Sequence, residues 1–220
     1  MKAPSAFVFA LIVSSSAGVG AVQAQTEKTV QGQYGPLPYI SHAEFEDISM
    51  GGRTASGTSI TGTERASSER GVKFNDLLTI ESVKEVTRRF GEPESTDYKK
   101  FPEEDFYIKY ESTFVYKGAK FYYKKVSNKI KLETMVITSR DLFLEVGGIQ
   151  LRPGMSPDAL SAPVRQAMDD GVSVLRIVGP DATEKGDLEQ AVRQTRTKIS
   201  IELNEDRDSV RRVIFNQLVI

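Results

Sequence analysis

Thr113-Phe-Val-Tyr-Lys-Gly-Ala-Lys-Phe-Tyr-Tyr-Lys124 is the stretch that decides how this chain folds. Aromatic and β-branched residues alternate on both sides of Gly118-Ala119, and a Gly-X pair between two such runs marks a type II′ hairpin. A Gly118-Ala119 loop sets Tyr116 opposite Phe121, Phe114 opposite Tyr123 and Val115 opposite Tyr122. One face then holds Phe114, Tyr116, Phe121 and Tyr123, an apolar surface that needs a cover. Lys117, Lys120, Tyr122 and Lys124 form the outward face.

The cover lies just upstream. Within residues 80–90, Val83, Val86 and Phe90 fall at i, i+3 and i+7, on one face of a helix. Thr79 is the expected N-cap, and Gly91 with Pro93 ends the helix. Downstream, residues 129–138 alternate Ile130 and Leu132 with Lys131 and Glu133, and residues 142–146 extend or follow that strand. The turns are too short for crossovers, so the sheet is antiparallel.

After Gly147-Gly148 the pattern restarts. Ser156 is an N-cap with Pro157 at the first helical position. Pro163 opens a second short helix bearing Val164, Ala167 and Met168. Strands are expected at residues 172–178, 192–203 and 210–220, with 204–208 as a turn. Helix followed by antiparallel strands, twice, predicts an α+β fold of two similar units, residues 73–146 and 147–220.

The N-terminal segment reads as an address. Lys2 precedes an apolar run over residues 6–13, and Val22-Gln23-Ala24 is a small-x-small cleavage signal, so residues 1–24 are expected to be a secretory signal peptide. The run is shorter than the roughly 20 residues a transmembrane helix needs. Export to a bacterial periplasm is the expectation, with an extracellular location as the alternative. Between Ser49 and Gly71, 14 of 23 residues are Gly, Ser or Thr. Such composition buries too little to offset its ordering entropy. Residues 25–72 therefore read as a flexible arm, with a glycine-rich hairpin as the alternative.

The helix end Phe90-Gly91-Glu92-Pro93, the Tyr/Lys strands and the helix start Leu151-Arg-Pro-Gly-Met-Ser156 together resemble the SmpA/OmlA-type envelope modules. The arrangement is also similar to the tandem helix-plus-sheet fold of beta-lactamase inhibitory protein. The resemblance covers residues 73–220 and implies the fold class and a role in protein binding in the envelope. It implies no functional residue. In those families the two motifs often share one unit, whereas here Gly91-Glu92-Pro93 and Gly154-Met155-Ser156 fall in different ones. The lipid-attachment cysteine of SmpA/OmlA anchoring has no counterpart here.

Composition narrows the chemistry. The 220 residues include no cysteine and one histidine, His42, which excludes thiol nucleophiles, thiolate zinc sites and histidine-rich metal sites. Basic and acidic groups number 29 and 30, so net charge gives no argument for nucleic acid. No Gly-x-Ser-x-Gly elbow is present, and His42 reads as a solvated loop residue. Residues 57–63 have phosphate-loop spacing but carry Thr63 where lysine is required. Residues 204–209 imitate half a calcium loop but place Ser209 at the glycine position. Glu103-Glu104-Asp105 and Asp169-Asp170 read as surface acids rather than acid/base pairs.

One cluster stands out. Residues 107–131 hold seven lysines against the single acid Glu111, interleaved with Tyr107, Tyr110, Tyr116, Tyr122 and Tyr123. The expected function is an exported, non-enzymatic protein without cofactor or metal, binding an envelope protein through a sheet face or through the arm. Lys117, Lys120, Tyr122 and Lys124 are the candidate binding residues on the sheet, and Tyr34, Leu37, Tyr39 and Phe45 the candidate anchors in the arm. The alternative is an anionic envelope lipid or glycan bound by the Lys/Tyr hairpin; a carboxylate- or serine-dependent hydrolase comes third.

Overall fold

The computed structural model describes residues 28–41, 45–53, 72–100, 108–126, 129–179 and 188–219. The expected signal peptide, His42, the 57–63 stretch and Glu103-Glu104-Asp105 lie outside them. Strands β1 (Lys28–Gly32), β2 (Gly35–Ser41), β3 (Ser49–Gly52) and β4 (Val72–Lys73) precede helices α1 (Phe74–Leu78) and α2 (Val83–Phe90). Then come β5 (Ser95–Lys100), β6 (Ile108–Tyr116), β7 (Ala119–Val126), β8 (Lys129–Ile137), β9 (Leu142–Val146) and β10 (Ile149–Leu151). A single 3-10 turn (Pro157–Ala159) and helix α3 (Ala162–Gln166) lead to β11 (Val172–Val178), α4 (Leu188–Gln194), β12 (Lys198–Leu203) and β13 (Val210–Asn216).

Among the described residues, nine strands form one sheet in the order β1-β2-β11-β12-β13-β8-β7-β6-β5, and four form a second, β10-β9-β3-β4. Every pairing is antiparallel except that of β2 with β11. The molecule is thus α+β and mostly sheet. The inward residues of the large sheet, Phe114, Phe121, Leu132, Met135, Phe215, Ile199, Ile201 and Leu175, are fully or almost fully buried. They share one apolar cluster with Phe74, Leu77, Val86 and Phe90 of α1 and α2 and with Met50, Leu142 and Leu144 of the small sheet. Two layers around one core result.

Helix α2 covers the aromatic hairpin as its spacing predicts. The Phe90 ring lies 5.1 Å from Phe121 and 6.3 Å from Tyr116, and the Tyr116 hydroxyl donates to the Gly91 carbonyl at 3.1 Å. Its N-cap is Ser82 rather than Thr79: Ser82 Oγ accepts from Glu85 N, and the Glu85 carboxylate accepts from Glu81 N. Ser82 thus caps the helix while the Glu85 carboxylate reaches back to the residue before the cap, so two amide donors are satisfied at the helix start. Thr79 closes the short α1 instead.

The hairpin register differs from the expected one by two residues. The loop residues are Lys117 and Gly118, so Tyr116 pairs with Ala119, Phe114 with Phe121, and Thr113 with Tyr122. Gly118 adopts φ 84°, and a Cβ there would sit 2.1 Å from the Ser139 Cβ. The Gly118 carbonyl also accepts from the amides of Thr138 and Ser139. The turn is therefore fixed by its fit against residues 138–139. An even shift leaves every side chain on its own face, so the inward set is the expected one.

Both expected boundaries of the first unit fall inside structure. Gly147-Gly148 is the two-residue turn of the β9–β10 hairpin, with both φ values positive as a type I′ turn requires. The expected start at residue 73 lies within β4. The halves also share the large sheet, since β13 pairs with β8. Residues 192–194 are not strand but the end of α4, whose Leu188, Ala191 and Val192 pack on Tyr39, Leu37 and Val178.

The expected arm is corrected over its described residues, while residues 54–71 lie outside them. Residues 28–41 form the β1–β2 hairpin and residues 49–52 form β3, because Ile40, Phe45, Ile48 and Met50 are buried in the main core and Tyr39 beneath α4. Among the described residues, no helix is long and apolar enough to cross a membrane.

Candidate functional site

The face of the large sheet turned away from the main core offers the broadest candidate surface. Strand pairing aligns a row across it: Val115, Lys120, Val136, Ile214, Ser200 and Val174, one residue from each of six strands. A second row runs Thr113, Tyr122, Thr134, Asn216, Lys198 and Arg176. Helix α4 lies over the β1, β2 and β11 end of this face. Val115, Val136, Ile214 and Val174 are only half-buried. Their β-branched side chains suit the half-buried surface of a pleat.

The charges on this face divide into paired and unpaired groups. Glu202 accepts from Arg211 Nη2 at 2.9 Å and from Arg212 Nη2 at 3.1 Å. Burial works against the Glu202 charge, but the hydrogen bonds from the two arginines outweigh it and hold the carboxyl below its usual range. Glu133 is ion-paired with Lys124. Lys117, Lys120, Lys131 and Lys198 are exposed and make no ion pair among the described residues. Asp97 and Glu111 are the acids at the β5 end.

The four sheet candidates therefore differ in availability. Lys117 sits in the hairpin turn and Lys120 points outward from β7, both exposed. Tyr122 is half-buried between Thr113 and Thr134. The Lys124 side chain is only 16% exposed and is engaged by Glu133. Of the arm candidates, Tyr39 and Phe45 are each 7% exposed and cannot reach a partner, and Leu37 packs beside α4. Tyr34, at the β1–β2 turn, is 88% exposed. No known family, curated protein or solved structure matches the chain, so the reading of this face rests on its own residues.

Sequence reasoning passed over the pocket at the α4 end. A cavity of about 660 Å³ opens between the β1–β2 turn, the segment after α3 and the outer side of β11. Arg176 rises from its floor and Arg193 of α4 from its wall. Arg193 is held by Glu189, which accepts from its Nε at 2.9 Å and its Nη2 at 2.7 Å. Arg176 is half-buried, and both that burial and the Arg193 charge disfavour its protonated form. The signal for this wall was present in the sequence: Leu188, Ala191 and Val192 lie at helical spacing, with Glu189 and Arg193 at i, i+4.

The remaining candidates build no chemistry. Asn204 Oδ1 accepts from the amides of Asp208 and Ser209, and Asn204 Nδ2 donates to Asp208 at 2.8 Å, the bonding of a polar hairpin turn. Asp169 and Asp170 occupy the turn into β11, Asp169 bridging Val172 through its backbone. Among the described residues, no three His, Cys, Asp or Glu side chains cluster for a metal ion.

Proposed function

We propose that this chain is an exported, non-enzymatic binding protein that docks a protein partner on the open face of its large sheet. The partner presents an acidic segment with apolar side chains. The observation that carries this reading is the row Val115–Lys120–Val136–Ile214–Ser200–Val174. It sets apolar β-branched residues, which reward desolvation, beside exposed lysines that make no ion pair among the described residues. Its neighbours Glu133 and Glu202 are already neutralised, so Lys117, Lys120, Lys131 and Lys198 stand against Asp97 and Glu111 at the β5 end, a surplus of cations. Complementary charge would steer an acidic partner, while the apolar row would set the lifetime of the complex. Tyr39 and Phe45 do not contribute to this reading, because both are inside the fold.

Photo-crosslinking from positions 136 and 214 of the full chain, in an envelope extract, tests the proposal. The expected result is one protein captured from both positions and not from exposed position 152. Capture falls several-fold when Lys120→Glu and Lys198→Glu are combined, and it weakens as salt rises. Equal capture from position 152, or indifference to the charge reversals, overturns the reading. Binding of the chain to anionic vesicles with the same Lys120 dependence favours the lipid alternative instead.

A further inference from the structure

We infer that the cavity beside α4 is a binding site for a small amphiphilic anion, a carboxylate or phosphate ester joined to a short hydrocarbon or aromatic body. Its dimensions suit such a ligand: about 660 Å³ lies within the range of small-molecule sites. Two guanidiniums converge on it. Arg193 is oriented by Glu189 and lies close against Gly32, where a Cβ would stand 2.8 Å from its Nη2. Arg176 has one hydrogen bond among the described residues, a long 3.5 Å contact from Nη1 to the Val174 carbonyl. A guanidinium offers five donors in a planar fork, so this half-buried cation has most of its capacity left for an oxyanion.

The neighbouring counter-charges do not fill that role. Glu189 is engaged by Arg193, and among the described residues Arg176 makes no ion pair. Asp169 lines the cavity but is exposed, where water screens it. An anion entering between Arg176 and Arg193 would relieve the repulsion of two like charges and meet donors already positioned. The rest of the lining explains why the anion needs an apolar body. Leu37, Met168 and Val174 form the walls. Tyr34, the most exposed large hydrophobic among the described residues, stands at the rim and supplies a ring face to cover the ligand.

The cavity shares Val174 and Arg176 with the end of the docking face, and one titration series separates the two sites. The full chain is titrated calorimetrically with octanoate, octyl phosphate, octyl glucoside and inorganic phosphate. One saturable site for octyl phosphate or octanoate is expected, with much weaker binding of octyl glucoside, which lacks the charge, and of inorganic phosphate, which lacks the tail. Arg176→Gln is expected to weaken binding about tenfold or more. Tyr34→Glu, at a position too exposed to affect folding, is expected to weaken it similarly by repelling the anion. It also keeps the test open if Arg176→Gln fails to fold. Lys120→Glu, on the docking face, should leave the titration unchanged. The inference is overturned if neither anion saturates, if the neutral amphiphile or inorganic phosphate binds as well, or if Tyr34→Glu is without effect.

Discussion

Glu202 joins Arg211 and Arg212 on the open sheet face, and its titration should be visible in the acid limb of stability. Its folded-state pKa lies below its ordinary value because the arginine hydrogen bonds outweigh the opposing effect of burial. A depressed carboxyl contributes stability fully above its unfolded value, about 4.3, and loses it as pH falls through the folded value. Glu202→Gln should therefore lower the melting temperature at pH 7, and the gap from the parent chain should close as pH drops below about 4. A gap unchanged from pH 7 to pH 2 would mean that the pair contributes nothing electrostatic. That Phe114, Tyr116, Phe121 and Tyr123 face inward was legible, because alternation alone fixes it and an even shift preserves it. That the turn is Lys117-Gly118 was not legible, because Gly118 is chosen by contact with Ser139, on the far side of β7 and β8. That Lys124 is engaged was not legible for a related reason: its partner Glu133 reaches it across the β7–β8 pairing.

Among the elements, the β1–β2 hairpin was the hardest to read and makes the sharpest prediction. Pro36 and Pro38 argue against strand, since proline removes a ladder donor. In the fold both prolines lie where β2 pairs with β1 alone; the pairing with β11 begins only at Tyr39. The lost donors thus fall on an unpaired edge, and the element survives. Its partner β11 lies far along the chain, beyond any local window. Helix α4 depends on the same hairpin, since Val192 is buried against Tyr39 and Val178. A chain shortened to residues 73–220 loses Ile40, Phe45, Ile48 and Met50 from the core and leaves α4 without its seat. It should lack cooperative unfolding in urea, where the full chain should show a single transition. The milder Ile40→Ala should cost about 2–5 kcal/mol in the full chain. Near-native stability of the shortened chain would return residues 28–53 to the status of a dispensable arm.

At the scale of the whole molecule, the question is whether two units or one carry the docking face. Helix–strand order along the sequence suggested a repeat, because each half alone has enough periodic elements to read as complete. What the order omits is pairing. β13 joins β8 in the middle of the large sheet, and the Phe74 ring from the first half stands 4.3 Å from Phe215 of the last strand. A seam of backbone hydrogen bonds with a fully buried aromatic contact behind it couples the halves too tightly for independent melting. Phe215→Ala should thus lower stability by about 3–5 kcal/mol. Native-state hydrogen exchange should report that loss equally in β6–β8 and in β11–β13. Loss confined to β11–β13 would instead mark two units in loose contact. The outcome bears on function, since the row from Val115 to Val174 crosses the seam between Val136 and Ile214. A surface assembled from both halves is continuous only while they are one body. Phe215 does not touch the open face, so Phe215→Ala should reduce crosslinking from positions 136 and 214 together, and only under conditions where the seam opens.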